Sequence, residues 1–209
     1  MDSLLWAGQS GGAAQSQDGR VDPLYGADVA RGRHPFVRDV TLSNSTFGNR
    51  YVHLAAPHLG VHALGGGIGQ GIAMAIGAAL ATHPAKTIAL VGDGGAMVSL
   101  GELATAAETK AEIAFVLMND RGYGVIRNIQ DAQFGGRRHY ADLHTPDFKL
   151  IAAAFGLPHR RVYRVDEFQL ALDQALSAAG PQLIEVDMVA IGPFAESFAG
   201  PPAGAAGSA

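Results

Sequence analysis

The chain of 209 residues contains no cysteine, which excludes disulfides, thiolate metal sites and a cysteine nucleophile together. That fits a reducing cytoplasm as its compartment. Charge is also scarce: Asp, Glu, Lys and Arg make up 16% of residues against 48% hydrophobic, so much of the chain is built for burial. Net charge is −4 and the pI about 6.0, which argues against a surface for nucleic acid or another polyanion. The basic run Arg137-Arg138-His139 reads as a solvated loop, with a contact to a substrate carboxylate as the alternative. No basic segment followed by an apolar one opens the chain. The longest uncharged run, Leu54 to Thr82, is broken by His58, His62, Gln70 and many glycines. It lacks the continuity of a bilayer span, and no membrane partner is expected.

What is present is an alternation of strand and helix signals. Residues 1–34 carry little to bury and read as poorly structured, as does the tail 200–209; the domain is expected over 35–199. Phe36 to Leu42 is the first strand. Gly69 to Thr82 is a helix of small residues. Thr87 to Val91 and Ile113 to Met118 are continuous apolar runs of strand length, the mark of strands covered on both faces. Between them Leu100, Leu103, Ala104 and Ala107 form one helical stripe. Thr145-Pro146-Asp147 opens a helix with Thr145 as its N-cap, and Gly156 stops it. Arg161 to Val165 is a strand, Asp166 to Gln169 resembles a capping box for a helix reaching Gly180-Pro181, and Leu183 to Asp187 is the last strand. The sum is an α/β domain with an open, mostly parallel sheet and helices on both faces.

Two carboxylates stand out in that layout. Asp93, in Gly92-Asp93-Gly94-Gly95, follows one strand, and Asp120 lies 27 residues later at the end of the next. The carboxyl edge of a parallel sheet is where ligands bind. A divalent cation between the two carboxylates could hold a diphosphate against the backbone N–H groups of Gly94 and Gly95. The run Gly65-Gly66-Gly67-Ile68-Gly69-Gln70-Gly71 fits neither the dinucleotide fingerprint nor the phosphate-loop motif. It reads as a turn where backbone must approach something closely, or as glycines that let a helix pack on the sheet. None of the eight histidines has metal-ligand spacing. His53, His58 and His62 precede the glycine run and read as surface or core residues, with a cofactor contact as the alternative. Glu102, Glu108 and Glu112 read as solvated positions on the crossover helix.

With this spacing the sequence resembles the diphosphate-binding domain of thiamine diphosphate-dependent enzymes, in the branch of acetolactate synthase, benzoylformate decarboxylase and pyruvate decarboxylase. The resemblance runs from about Phe36 to Phe198. It implies the thiamine diphosphate-binding fold, with thiamine diphosphate and Mg²⁺ as cofactors. It implies Asp93, Asp120 and the Gly122 carbonyl as metal ligands, with Asn119 as a substitute ligand if the register slips by one. The family more usually has an amide where this chain has Asp120. Gly92, Asp93, Gly94, Gly95, Asn119, Tyr123 and Gly124 would contact the diphosphate, and Ser45 and Thr46 other parts of the cofactor. Ile68, 25 residues before Asp93, matches the apolar residue that bends the cofactor. Gly66 matches the carbonyl that meets its aminopyrimidine. Ile126 stands where pyruvate decarboxylases carry a glutamate.

The family's activating glutamate resides on a separate pyrimidine-binding domain, and no residue of this chain takes that role. The resemblance therefore implies the diphosphate-binding half of a 2-oxo acid decarboxylase or carboligase. Its partners would be a small 2-oxo acid and a pyrimidine-binding domain on another chain, within a dimer or tetramer. The alternatives are a cofactor-binding fragment without turnover of its own, and a nucleotide-binding α/β domain of another kind.

Overall fold

The computed structural model describes residues 34–192, apart from 50, 51 and 53; the Thr46 side chain is also outside the description. The expectations for the two chain ends and for His53 lie outside the described residues. Six strands form one sheet, and every pairing in it is parallel. They are β1 (Phe36–Arg38), β2 (Gly60–His62), β3 (Thr87–Gly92), β4 (Ile113–Asn119), β5 (His159–Val162) and β6 (Gln182–Asp187), in the order β2-β1-β3-β4-β6-β5. The helices are α1 (Gly71–Thr82), α2 (Asp93–Val98), α3 (Glu102–Glu108), α4 (Gly124–Gln133), α5 (Phe148–Ala154), α6 (Val165–Ser177) and α7 (Met188–Ile191).

Alternation along the strands sorts the core into two layers. Val37, Ala89, Val91, Phe115 and Leu117 pack with Ile72, Leu103, Phe148 and Ala152 from α1, α3 and α5. Phe36, Ile88, Leu90, Val116 and Ile184 face the other way, onto Phe168, Leu172 and Ala175 of α6. Both faces are covered, which is why β3 and β4 are buried at every position.

Several boundaries move for local reasons. The first strand stops at Arg38 because Asp39 turns its carboxylate onto the N–H of Val40 (2.8 Å), and a short helical turn, Asn44–Gly48, follows. β2, at three residues, is too short to show a period, and was not expected. α1 starts at Gly71 rather than Gly69, since Gly69 has φ +87°. In α3 Ala106, not Ala104, completes the buried face. Asp147, not Thr145, caps α5: its Oδ1 accepts from the N–H groups of Lys149 (2.9 Å) and Leu150 (3.2 Å). α6 begins at Val165 with Arg164 at its N-cap, two residues before the expected box, and Glu167 accepts from the Tyr163 N–H. The segment after Asp120, where no helix was expected, contains α4. Among the described residues no helix is long and apolar enough to cross a membrane.

Glu112 is not solvated. It pairs at 2.9 Å with the buried Lys86, which also donates to the carbonyls of Ala178 and Gly180. This ties the amino edge of β3 and β4 to the turn before β6. Lys86→Met should cost about 2 kcal/mol or more, the scale of hydrogen bonds to a charged group. Urea denaturation with an unchanged slope and a lower midpoint is the expected result.

Candidate functional site

β1 leads outward to β2, whereas β3 leads to β4 on its other side. The carboxyl ends of β1 and β3 therefore form the switch point of the sheet, and the residues singled out in the sequence collect there and at the end of β4. The register places Gly92 beside Met118, so the loops that follow β3 and β4 start level with each other. Asp93 bridges them. It is 1% exposed; its Oδ1 accepts from its neighbour's N–H, Gly94 (2.9 Å), and its Oδ2 from Gly122 (3.0 Å).

Asp120 lies against Asp93. Burial, with the Asp120 charge next to it, pushes the Asp93 carboxyl up to about 7, against the pull of the two N–H donors. Burial raises Asp120 as well, opposed by Arg127. Arg127, one turn into α4, donates to Asp120 Oδ2 (2.6 Å) and to the Asp120 carbonyl (2.7 Å). Its other terminal nitrogen lies 3.5 Å from Asp142. The segment around Asp142 forms a strap: Tyr123 donates to the Ala141 carbonyl and Leu143 to that of Arg121.

The glycines are spaced by what surrounds them. A Cβ on Gly94 would lie 2.6 Å from the Tyr123 ring, and one on Gly95 would lie 2.7 Å from Asp39 Oδ2. At Gly124 a Cβ would collide with the Asp120 carboxylate. The glycine run is folded back by two side chains. The buried Asp39 accepts from the Gly69 N–H (2.9 Å), and Gln70 donates to the carbonyls of Leu64 and Gly67 (3.0 Å each). Gly69 packs on Val98 and the Gly95 carbonyl, which brings the half-exposed Ile68 next to α2. Gly65 and Gly66, both with positive φ, have open space where a Cβ would stand.

Not every expected residue converges. Asn119 is turned elsewhere: its amide donates to the buried Glu185 (2.7 Å) and its oxygen accepts from the Arg121 N–H (3.2 Å), so its side chain braces the loop from below. Glu185 is held in turn by His159 (2.9 Å). Ser45, half-buried, bonds the Thr41 carbonyl within its own turn (3.3 Å). Gly92 packs on Thr41. His58 and His62 are exposed. Asp39, Gln70, Arg127 and Glu185 were missed in the sequence. For Arg127 a signal existed, seven residues after Asp120 at the start of a helix; Asp39 and Glu185 carry none.

Two hard carboxylates beside a glycine cradle suit a hard divalent cation with oxygen ligands. Among the described residues no group of three or more acidic, histidine or cysteine side chains forms a metal cage. Any cation must therefore draw its remaining ligands from backbone, diphosphate or water. The family described as "Thiamine pyrophosphate enzyme, C-terminal TPP binding domain" matches residues 42–186.

The chain belongs to this family.

The acetolactate synthase isozyme 2 large subunit of Escherichia coli is 32% identical over 124 residues, covering 59% of this chain and 23% of that protein. The 2-succinyl-5-enolpyruvyl-6-hydroxy-3-cyclohexene-1-carboxylate synthase of Nocardia farcinica is 34% identical over 148 residues, 64% of this chain and 26% of its own. Among solved structures, the thiamine diphosphate-dependent 4-hydroxybenzoylformate decarboxylase of Rhodococcus jostii RHA1 aligns with a TM-score of 0.72 at 28% identity, over 80% of this chain and 32% of that one. The chain spans about a quarter of the length of the curated relatives it matches. It is a thiamine diphosphate-binding domain with the expected α/β fold.

The raised Asp93 value fixes a sign. An acid whose pKa rises from 3.8 to about 7 on folding holds its proton more tightly in the native state. Its contribution to stability is full below the unfolded value and is lost as pH rises through about 7. Without cofactor, wild type should therefore lose more stability than Asp93→Asn between about pH 5 and about pH 7.5. Melting temperatures of both proteins at the two pH values provide the check, and parallel curves would count against the assignment.

Proposed function

We propose that the chain is the diphosphate-binding half of a Mg²⁺-dependent 2-oxo acid decarboxylase or carboligase, completed by a pyrimidine-binding domain on another chain. The observation that carries the reading is the buried Asp93 carboxylate, tied to both loops at the switch point with Asp120 beside it. When bound, thiamine diphosphate supplies a carbon acid that adds to the 2-oxo group and accepts the electrons released on decarboxylation. The protein's own part is placement. Asp93 and Asp120, with the Gly122 carbonyl, would hold the metal. The Gly95 N–H and the Tyr123–Gly124 backbone would meet the diphosphate, while the Gly94 N–H, also expected there, is given to Asp93 Oδ1; Ser45 and Thr46 would meet other polar parts of the cofactor. Ile68 and the Gly66 carbonyl, on the turn fastened by Asp39 and Gln70, would bend the cofactor and receive its aminopyrimidine.

Support for a partner comes from the same edge of the sheet. Leu64, Met97, Val98 and Ile126, which follow β2, β3 and β4, expose 75%, 44%, 63% and 44% of their surface. Apolar groups concentrated around a polar site fit a surface that another protein covers. The working assembly would be a dimer or tetramer in the cytoplasm, with the domain extending over 35–199. A cofactor-binding fragment without turnover is the second reading, favoured by the short span relative to the curated relatives.

Calorimetry with thiamine diphosphate and Mg²⁺ tests the cofactor half. Asp93→Ala should lower affinity roughly a hundredfold, the scale of losing a charged ligand in a part-buried site; unchanged affinity would remove Asp93 from the metal. The enzyme half is tested by turnover of pyruvate or benzoylformate with and without a candidate pyrimidine-binding chain. Activity is expected only in the mixture. Turnover by the chain alone would overturn the need for a partner, and silence in every mixture would favour the fragment.

A further inference from the structure

The feature that sets this site apart is a carboxylate, Asp120, in a position that the notion of a metal clamp would fill equally well with a neutral amide. A second negative charge next to Asp93 works against a polyanionic diphosphate. The structure provides a counterweight. Arg127 donates from one nitrogen to both Asp120 Oδ2 (2.6 Å) and the Asp120 carbonyl (2.7 Å), with both side chains about four-fifths buried at 19% and 23% exposure.

The surroundings are shaped for this pair. A Cβ on Gly122 would lie 2.5 Å from the Ala141 carbonyl and 3.0 Å from the guanidinium carbon, and one on Gly124 would collide with Asp120 Oδ2. Glycines at both positions thus leave room for the arginine and for the carboxylate it holds. α4 carries Arg127 on the turn that begins at Gly124, and its N–H donates to the Tyr123 carbonyl (2.9 Å), so the cation has a fixed place above the loop. Asp142 lies 3.5 Å from the other terminal nitrogen but is 73% exposed, where water screens it.

We propose that Arg127 makes Asp120 the electrostatic equivalent of an amide: one carboxylate oxygen is neutralised by the guanidinium, and the other is left to ligate the metal. The inference rests on the diphosphate-site reading above. Asp120 and Arg127 together are formally neutral, so of the two carboxylates that would face the metal only Asp93 keeps an uncompensated charge, with the Asp39 carboxylate behind Gly95 as a constant background. Once the divalent cation is in place, the site keeps a net positive charge toward the diphosphate. Without Arg127 the two carboxylates would cancel the cation, and the attraction for the diphosphate would fall.

This gives a signature that general damage does not share, because metal and diphosphate affinities move in opposite directions. Arg127→Met should bind Mn²⁺ alone more tightly, as read by electron paramagnetic resonance of the free ion. At saturating metal it should bind thiamine diphosphate at least roughly tenfold more weakly by calorimetry, the effect of one charge at close range in a partly screened site. Adding Asp120→Asn to that variant should recover most of the lost diphosphate affinity. Arg127→Gln carries the same expectations and decides the matter if the methionine variant does not fold. Equal weakening of Mn²⁺ and thiamine diphosphate, or no recovery in the double variant, would overturn the role of Arg127. Failure of the wild-type chain to bind thiamine diphosphate at any metal concentration is a different result, which removes the diphosphate-site reading and this inference with it.

Discussion

The carboxyl edge of the sheet depends on one buried carboxylate. Asp93 receives N–H groups from two loops that belong to different strands, Gly94 after β3 and Gly122 after β4. Those bonds are available because the parallel register brings the two strand ends level. An apolar residue at 93 would leave both donors unpaired in a buried place, and an amide would offer one of them the wrong partner. The arrangement has a tension that its raised pKa expresses, since a charge taken out of water next to Asp120 is held by two neutral donors alone. A divalent cation relieves that tension from outside; Arg127 relieves part of it from within.

Next to this bridge, the switch point is closed by side chains that act on backbone. Asp39 holds the Gly69 N–H and lies where a Cβ on Gly95 or Gly71 would have to go. Gln70 closes the turn ahead of it through two carbonyls. The glycine run, the end of β1 and α2 are thereby fastened into one unit. Below it, Glu185 and Asn119 set the level of the loop after β4 through the Arg121 N–H. The bonds of Gln70 and the Arg121–Asn119 bond are local, but the two that join separate elements are long-ranged in sequence, with separations of 30 for Asp39 and Gly69 and 66 for Asn119 and Glu185.

That separation explains what could be read from the sequence. The buried strands β3 and β4 were legible because continuous apolar runs of strand length have few other uses, and Asp93 and Asp120 because each stands where such a run ends. Asp39 was not legible: it follows a three-residue strand, and its partner is a backbone N–H that every residue possesses. The bonds of Asn119 were not legible either: it is the last residue of β4, next to Asp120 in sequence, and its partner Glu185 lies on a strand that only the fold brings beside it. Glu112 misled for a similar reason. One residue before β4, it looks solvated until the fold brings Lys86 to it.

The polar groups at this edge are turned toward one another and toward backbone: Asp93 to Gly94 and Gly122, Asp39 to Gly69, Arg127 to Asp120. Beside the exposed Arg121 and Asp142, the same loops present apolar groups outward, Leu64, Val98 and Ile126 among them. A site that worked in open water would be expected to show the reverse, with its apolar side chains packed inward and its charges solvated. Here the charged machinery is assembled and its rim is left uncovered. Covering that rim would exclude water from the region between Asp93 and Ile68, and every electrostatic contact within it would strengthen as the local dielectric fell. In the proposed assembly the partner domain thus does more than bring a glutamate, because its docking raises the strength of the charge balance that Asp93, Asp120 and Arg127 already hold.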